Sequence, residues 1–104
     1  MKLADPLGRV YAEAMFSLAV NRGLADEVGE ELGAFLRLTQ ENPTLADFLT
    51  TPVVESSAKV AALRKALEGR ASEVLADFLC LVVEKRRFSA FPRIVEAYRA
   101  LADE

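Results

Sequence analysis

The chain has 104 residues, of which 52% are hydrophobic, and a formal net charge of −3 with no histidine. That length and apolar content suit one core, so a single helical domain over 1–104 is expected and no second one. An acidic balance gives no overall attraction for nucleic acid or for an anionic membrane surface.

Apolar residues recur at spacings of three and four, with no sustained period-two alternation and no Asn-Gly or Asp-Gly hairpin turn, which predicts an all-α fold. The first helix is expected over 7–22, where Gly23 suits the left-handed position after a helix and Leu24 the apolar position behind it. The second carries Val28, Leu32, Phe35, Leu36 and Thr39 on one stripe and is expected to end near Glu41, because Asn42-Pro43 reads as a cap followed by a first-turn proline. A short third helix holds Leu45, Phe48 and Leu49 before Thr50-Thr51-Pro52 interrupts it. The fourth starts between Val54 and Ser57 and runs through Val60, Leu63 and Leu67 to a stop at Gly69. Ser72 is placed to cap a fifth helix reaching about Arg87, and Ser89 to cap a sixth that presents Phe91, Ile94, Val95, Tyr98 and Leu101. Connections this short describe a compact antiparallel bundle of about six helices.

The residue types exclude most chemistry. Without histidine and with the single Cys80, zinc sites, His-based acid/base pairs and Ser-His or Cys-His nucleophiles cannot be assembled. The five glycines are scattered and none precedes Gly-Lys-Ser/Thr, so no phosphate loop is present and neither cofactor nor metal is expected. The acids Asp26, Glu27, Glu30 and Glu31 lack the alternating oxygen ligands of a calcium loop and fit the first turns of a helix instead. The Gly29 and Gly33 pair has a spacing that permits close helix packing. The basic run Lys85-Arg86-Arg87, with Arg93 nearby, reads as solvated surface charge, since three consecutive helical residues point about 100° apart. The longest apolar run, Phe78 to Val83, is far short of the roughly 18 residues of a membrane span, and the N-terminus lacks the apolar stretch of a signal peptide. An intracellular chain without direct membrane insertion is expected, in keeping with one cysteine that has no internal partner.

Two helices carry more apolar surface than a bundle helix needs, which is an arc of a little over 100°. In the first, Arg9, Glu13, Ser17 and Asn21 form one polar stripe and roughly 200° of the remainder is apolar. That arc divides into Ala12, Met15, Phe16 and Ala19 on one face and Tyr11, Ala14 and Leu18 on the other. In the fifth, Glu73, Asp77 and Glu84 leave roughly 260° apolar, one edge carrying Val74, Phe78 and Leu81 with Lys85 a turn further on. Either both helices are buried on all sides, or the second face of each belongs to a groove for a partner helix.

Three segments resemble one family in order and spacing: Val10-Tyr11-Ala12-Glu13-Ala14-Met15-Phe16-Ser17-Leu18-Ala19, then Phe48-Leu49-Thr50-Thr51-Pro52 with Val54 and Lys59, then Phe78 to Ile94 around Arg87-Phe88. The family is the N-terminal domain of the ATP synthase delta subunit, counterpart of the mitochondrial oligomycin-sensitivity-conferring protein. The resemblance implies a non-catalytic six-helix bundle on the crown of the catalytic head, part of the stator (peripheral stalk) that resists rotor torque, cytoplasmic and peripheral to the inner face of the cell membrane. Its first and fifth helices receive the N-terminal helix of an alpha subunit, which maps the groove onto Tyr11, Ala14, Leu18, Phe78, Leu81 and Lys85. The family's second region, which reaches toward the membrane-anchored b subunit, is missing, which points to a shortened chain. Lys85-Arg86-Arg87 departs from the family's Asn-Gly-Arg at the turn after the fifth helix. A monomer is expected in isolation; the competing reading is a homodimeric helical module that hides the same apolar surface against a second copy.

Overall fold

The computed structural model describes residues 6–104 and, among them, consists of six α-helices and one 3-10 turn. The helix α1 (Pro6–Asn21) ends as the sequence predicts. Gly23 takes φ 69°, its N–H donates to the Val20 carbonyl at 3.0 Å, and the Leu24 N–H reaches back to Ala19 at 2.8 Å. These two bonds satisfy carbonyls that a helix end would otherwise leave unpaired. The helix α2 (Ala25–Glu41) follows at once and buries Val28, Leu32, Phe35 and Thr39, the hydroxyl of Thr39 donating to the Leu36 carbonyl at 2.8 Å.

In α3 (Pro43–Thr50) the expected cap is corrected. Asn42 accepts the Leu45 N–H on its backbone carbonyl, but its side chain turns the other way and donates to Leu38 at 2.9 Å, closing α2 rather than opening α3. Thr51 is extended at φ −65°, ψ 135°, the conformation that the ring of Pro52 imposes on the residue before it. Its carbonyl accepts from Lys59 Nζ, a lysine only 2% exposed, so the loop is tied to the first turn of α4 (Ser56–Leu67). That helix stops at Gly69 through a type II turn, with Glu68 at φ −57°, ψ 123°, Gly69 at φ 73° and the Arg70 N–H on the Leu67 carbonyl at 2.9 Å.

Ser72 caps α5 (Glu73–Glu84), its Oγ accepting the Leu75 N–H at 3.2 Å. Sequence spacing gives no hint of what holds that cap: the Glu31 carboxylate on α2 accepts both the Ser72 N–H at 2.8 Å and its hydroxyl at 2.7 Å. The acids of the second helix therefore divide, Asp26 and Glu27 lying in its favourable first turn while Glu31 fastens the start of α5. Glu31→Ala removes two charge-assisted bonds and leaves the half-buried Ser72 groups short of a partner. A loss of about 1.5–3 kcal/mol is expected, read as a lower urea midpoint at unchanged slope.

The fifth helix ends at Glu84 and not near Arg87. Arg86 adopts φ 58°, with its N–H on Val83 at 2.9 Å and the Arg87 N–H on Val82 at 3.0 Å. This is the same termination as at Gly23, made without glycine, which is why no stop is visible in the sequence. A left-handed residue with a Cβ costs about 1–2 kcal/mol, and glycine returns about 0.5–1 of that as extra chain entropy on unfolding. Arg86→Gly is accordingly expected to raise the thermal midpoint by about 2–6 °C.

The chain then makes a 3-10 turn (Phe88–Ala90) and enters α6 (Phe91–Ala102). Ser89 lies inside that turn and Ala90 holds the cap position, correcting the expectation for Ser89; the second-position proline, Pro92, needs no N–H partner there. Both α1 and α2 pack on α6, and α4 packs on α5. Phe88 and Phe91 stack at 4.9 Å, with Phe35 edge-on to them at 6.0 and 5.8 Å. Gly29 lets α2 approach α6 closely, since a Cβ there would stand 3.2 Å from Tyr98 Cε1. The Tyr98 hydroxyl donates to the Ala25 carbonyl at 2.6 Å, and burial, then the nearby Asp26 charge, pushes its pKa up.

Cys80 is a buried core residue whose thiol is pushed up by burial. Native protein at neutral pH is expected to leave it unmodified by Ellman's reagent over minutes while urea-unfolded chain reacts at once; fast native labelling would contradict its burial.

Candidate functional site: an apolar groove between the first and fifth helices

Because α1 rests chiefly on α6 and α5 chiefly on α4, the two helices that carry excess apolar surface flank a cleft that Tyr11 and Phe78 bridge. The cleft has a volume of about 330 Å³. Val10, Tyr11, Ala14, Met15, Leu18 and, just past the helix end, Arg22 line one wall. Val74, Asp77, Phe78 and Leu81 from α5 line the other. Five of the six residues predicted from the sequence, Tyr11, Ala14, Leu18, Phe78 and Leu81, are thus brought together. Lys85 is not: it is the exposed C-cap of α5, one turn beyond Leu81, to whose carbonyl its N–H donates at 3.0 Å.

The two helices reach the groove by different routes. In α5 nearly all of the wide apolar arc is core, with Val74, Leu75, Phe78, Leu79, Cys80, Val82 and Val83 buried and Leu81 left 42% exposed. Full burial thus accounts for most of that helix. In α1 the core face is Gly8, Ala12, Met15 and Ala19. Phe16, expected among them, is half-buried with its ring edge against Tyr98 at 5.4 Å. The other face of α1 is apolar and uncovered: Val10 is 63% exposed, Leu18 40%, and Ala14 lies exposed between them. Val10 completes the row at i, i+4, i+8 and was legible from its position relative to Ala14 and Leu18.

Polar groups frame the groove. At one end the Tyr11 ring stands edge-on to Phe78 at 6.3 Å, and its hydroxyl accepts from Arg87 Nη1 at 3.1 Å while the guanidinium carbon lies 5.8 Å from the ring centre. On the α5 wall, beside Phe78, Asp77 accepts from Arg64 at 3.0 Å in an exposed ion pair. Among the described residues no group of three or more His, Cys, Asp or Glu could hold a metal ion, and no helix is long and apolar enough to cross a membrane. What the arrangement offers is an open apolar trough, suited to a ligand that brings its own apolar row.

The family model for the ATP synthase delta (OSCP) subunit matches residues 7–104. The chain belongs to that family. Delta subunits of Synechocystis sp., Acetivibrio thermocellus and Acaryochloris marina are 37%, 36% and 35% identical to it over 96%, 90% and 88% of its length. The matches cover 52%, 53% and 49% of those proteins, so the chain spans about half the length of the curated delta subunits it matches. A chain in the cryo-EM structure of the Polytomella F-ATP synthase has the same fold, with a TM-score of 0.85 at 20% identity over 98% of this chain and 90% of that one. Within this delta-family domain, the groove between α1 and α5 is where exposed aliphatic side chains from two helices converge.

Proposed function

We propose that this domain is a stator adaptor of a rotary F-type ATP synthase, a non-catalytic module that seats the N-terminal helix of an alpha subunit in the α1/α5 groove. The observation that carries the reading is the row Val10, Ala14 and Leu18 facing Leu81 across an open cleft in a delta-family fold. Burying a leucine or valine fully is worth roughly 1.5–3 kcal/mol, so finishing the half-burial of three aliphatic side chains gives a few kcal/mol, to which the Tyr11 and Phe78 edges add. The seat is preformed, so little of that is lost in ordering the domain. Function follows from rigidity: a helix clamped here fixes the catalytic head to the peripheral stalk, and torque from the rotor is resisted rather than turning the head. Contact with the b subunit belongs to the second region of the full-length relatives, and the complex would sit on the cytoplasmic side, peripheral to the inner face of the cell membrane.

Calorimetric titration with a peptide copying the first 25 or so residues of the cognate alpha subunit tests this. Saturable one-to-one binding in the micromolar range or tighter, about −8 kcal/mol, is expected of a monomeric domain. No heat at about 100 μM peptide would overturn it, as would a stable dimer in which α1 and α5 are covered by a second copy.

A further inference from the structure

We propose that Arg87 is a specificity residue of the groove, selecting partner helices that bring a carboxylate side chain past Tyr11; this rests on the groove being a helix seat. Three observations carry it. The first is position: Arg87 lies outside the fifth helix, yet its guanidinium is held both over the Tyr11 ring and on the Tyr11 hydroxyl, and Tyr11 is part of the groove wall. The left-handed turn at Arg86 swings the chain back so that this is possible. The second is capacity. A guanidinium carries five N–H donors in a planar fork, and the Tyr11 hydroxyl takes a bond from one nitrogen of an exposed residue, which leaves capacity for a further acceptor beside Tyr11.

The third is charge balance. Although the chain carries −3 overall, Asp77 is the one acid among the described residues lining the groove, and its carboxylate is already engaged by Arg64. Arg22 lines the same cleft and Arg87 closes its Tyr11 end, with Lys85 exposed close by in sequence. At the groove itself two arginines therefore stand against one acid that is already paired. A partner with an apolar row and a cation at this end would meet a guanidinium already fixed in place, and repulsion there would be felt most once water is excluded. A carboxylate would instead accept a paired hydrogen bond from a guanidinium whose rotamer freedom has been spent on Tyr11.

The test is a double-mutant cycle between Arg87 variants and the alpha-subunit peptide, in which each Asp and Glu is changed singly to its amide. Arg87 is exposed, so Arg87→Gln and Arg87→Lys are expected to melt like the wild type. For one peptide carboxylate, amide substitution should weaken binding to wild-type domain by about tenfold or more and have less than about twofold effect on Arg87→Gln. Arg87→Lys should recover only part of the loss, because an ammonium cannot stack and fork at once. Wild-type affinity should also fall with added salt more steeply than that of Arg87→Gln. If the peptide binds wild-type domain but no carboxylate couples to Arg87, the specificity role is wrong while the groove stands. If the peptide does not bind at all, the groove reading has failed and the specificity role with it.

Discussion

Ala14→Asp is expected to leave the domain folded and to abolish docking of the alpha-subunit helix. Ala14 is exposed on α1 between Val10 and Leu18, so an aspartate there stays hydrated in the free protein and costs only its weaker helix propensity, about 0.5–0.7 kcal/mol. In the complex the same carboxylate would be pressed against an apolar partner face in the middle of the cleft. Nothing on the groove wall is free to neutralise it, since Arg22 and Arg87 stand at the ends. Desolvation of several kcal/mol corresponds to an affinity loss of at least about a hundredfold. Calorimetry and thermal melting on the same preparation check both halves of the expectation.

Ala12→Asp, two residues away, is expected to do the opposite and unfold the domain. Ala12 is 0% exposed and lies with Met15 and Ala19 on the face that packs against α6. A carboxylate there has neither the volume it needs nor a counter-charge, and the added atoms force α1 off its neighbour. The combined penalty is several kcal/mol against a typical total of about 5–15, so a largely unfolded chain by circular dichroism is the expected outcome. Phe16→Asp should fall between the two, because Phe16 is half-buried and loses mainly its edge contact with Tyr98. A melt in which Ala14→Asp collapses and Ala12→Asp does not would mean that the faces of α1 are assigned the wrong way round.

The parts of this structure that could be read in the sequence are those decided within a few residues. Gly23, Pro43, Gly69 and Ser72 mark their helix boundaries through local backbone chemistry, and the apolar rows follow from helical period alone. The failures also have local causes. Arg86 occupies a left-handed position that glycine normally signals, so nothing in the sequence marks the end of the fifth helix at Glu84. Asn42 had two helix ends within reach of one amide and bonded backward. Ser89 sits in a 3-10 turn whose own backbone bonds replace a side-chain cap. What no local reading reaches are the contacts between distant residues. Glu31 holds Ser72 from 41 positions away and Arg87 holds Tyr11 from 76, and only the packed bundle brings them together. The groove itself lies between these extremes. Its apolar faces were legible, but that α5 spends most of its arc on the core while α1 leaves a full face open depends on which neighbour each helix packs against.

Whether a partner helix lies between α1 and α5 is read most directly by amide chemical-shift mapping of the labelled domain during titration with the alpha-subunit peptide. Large shifts are expected on Val10, Tyr11, Ala14, Leu18, Phe78, Leu81 and Arg87, with Gly29, Gly33 and Ala102 of the separate α2/α6 cleft nearly still. Large shifts along the α2/α6 cleft, with the α1/α5 row unchanged, would contradict a helix seated between α1 and α5.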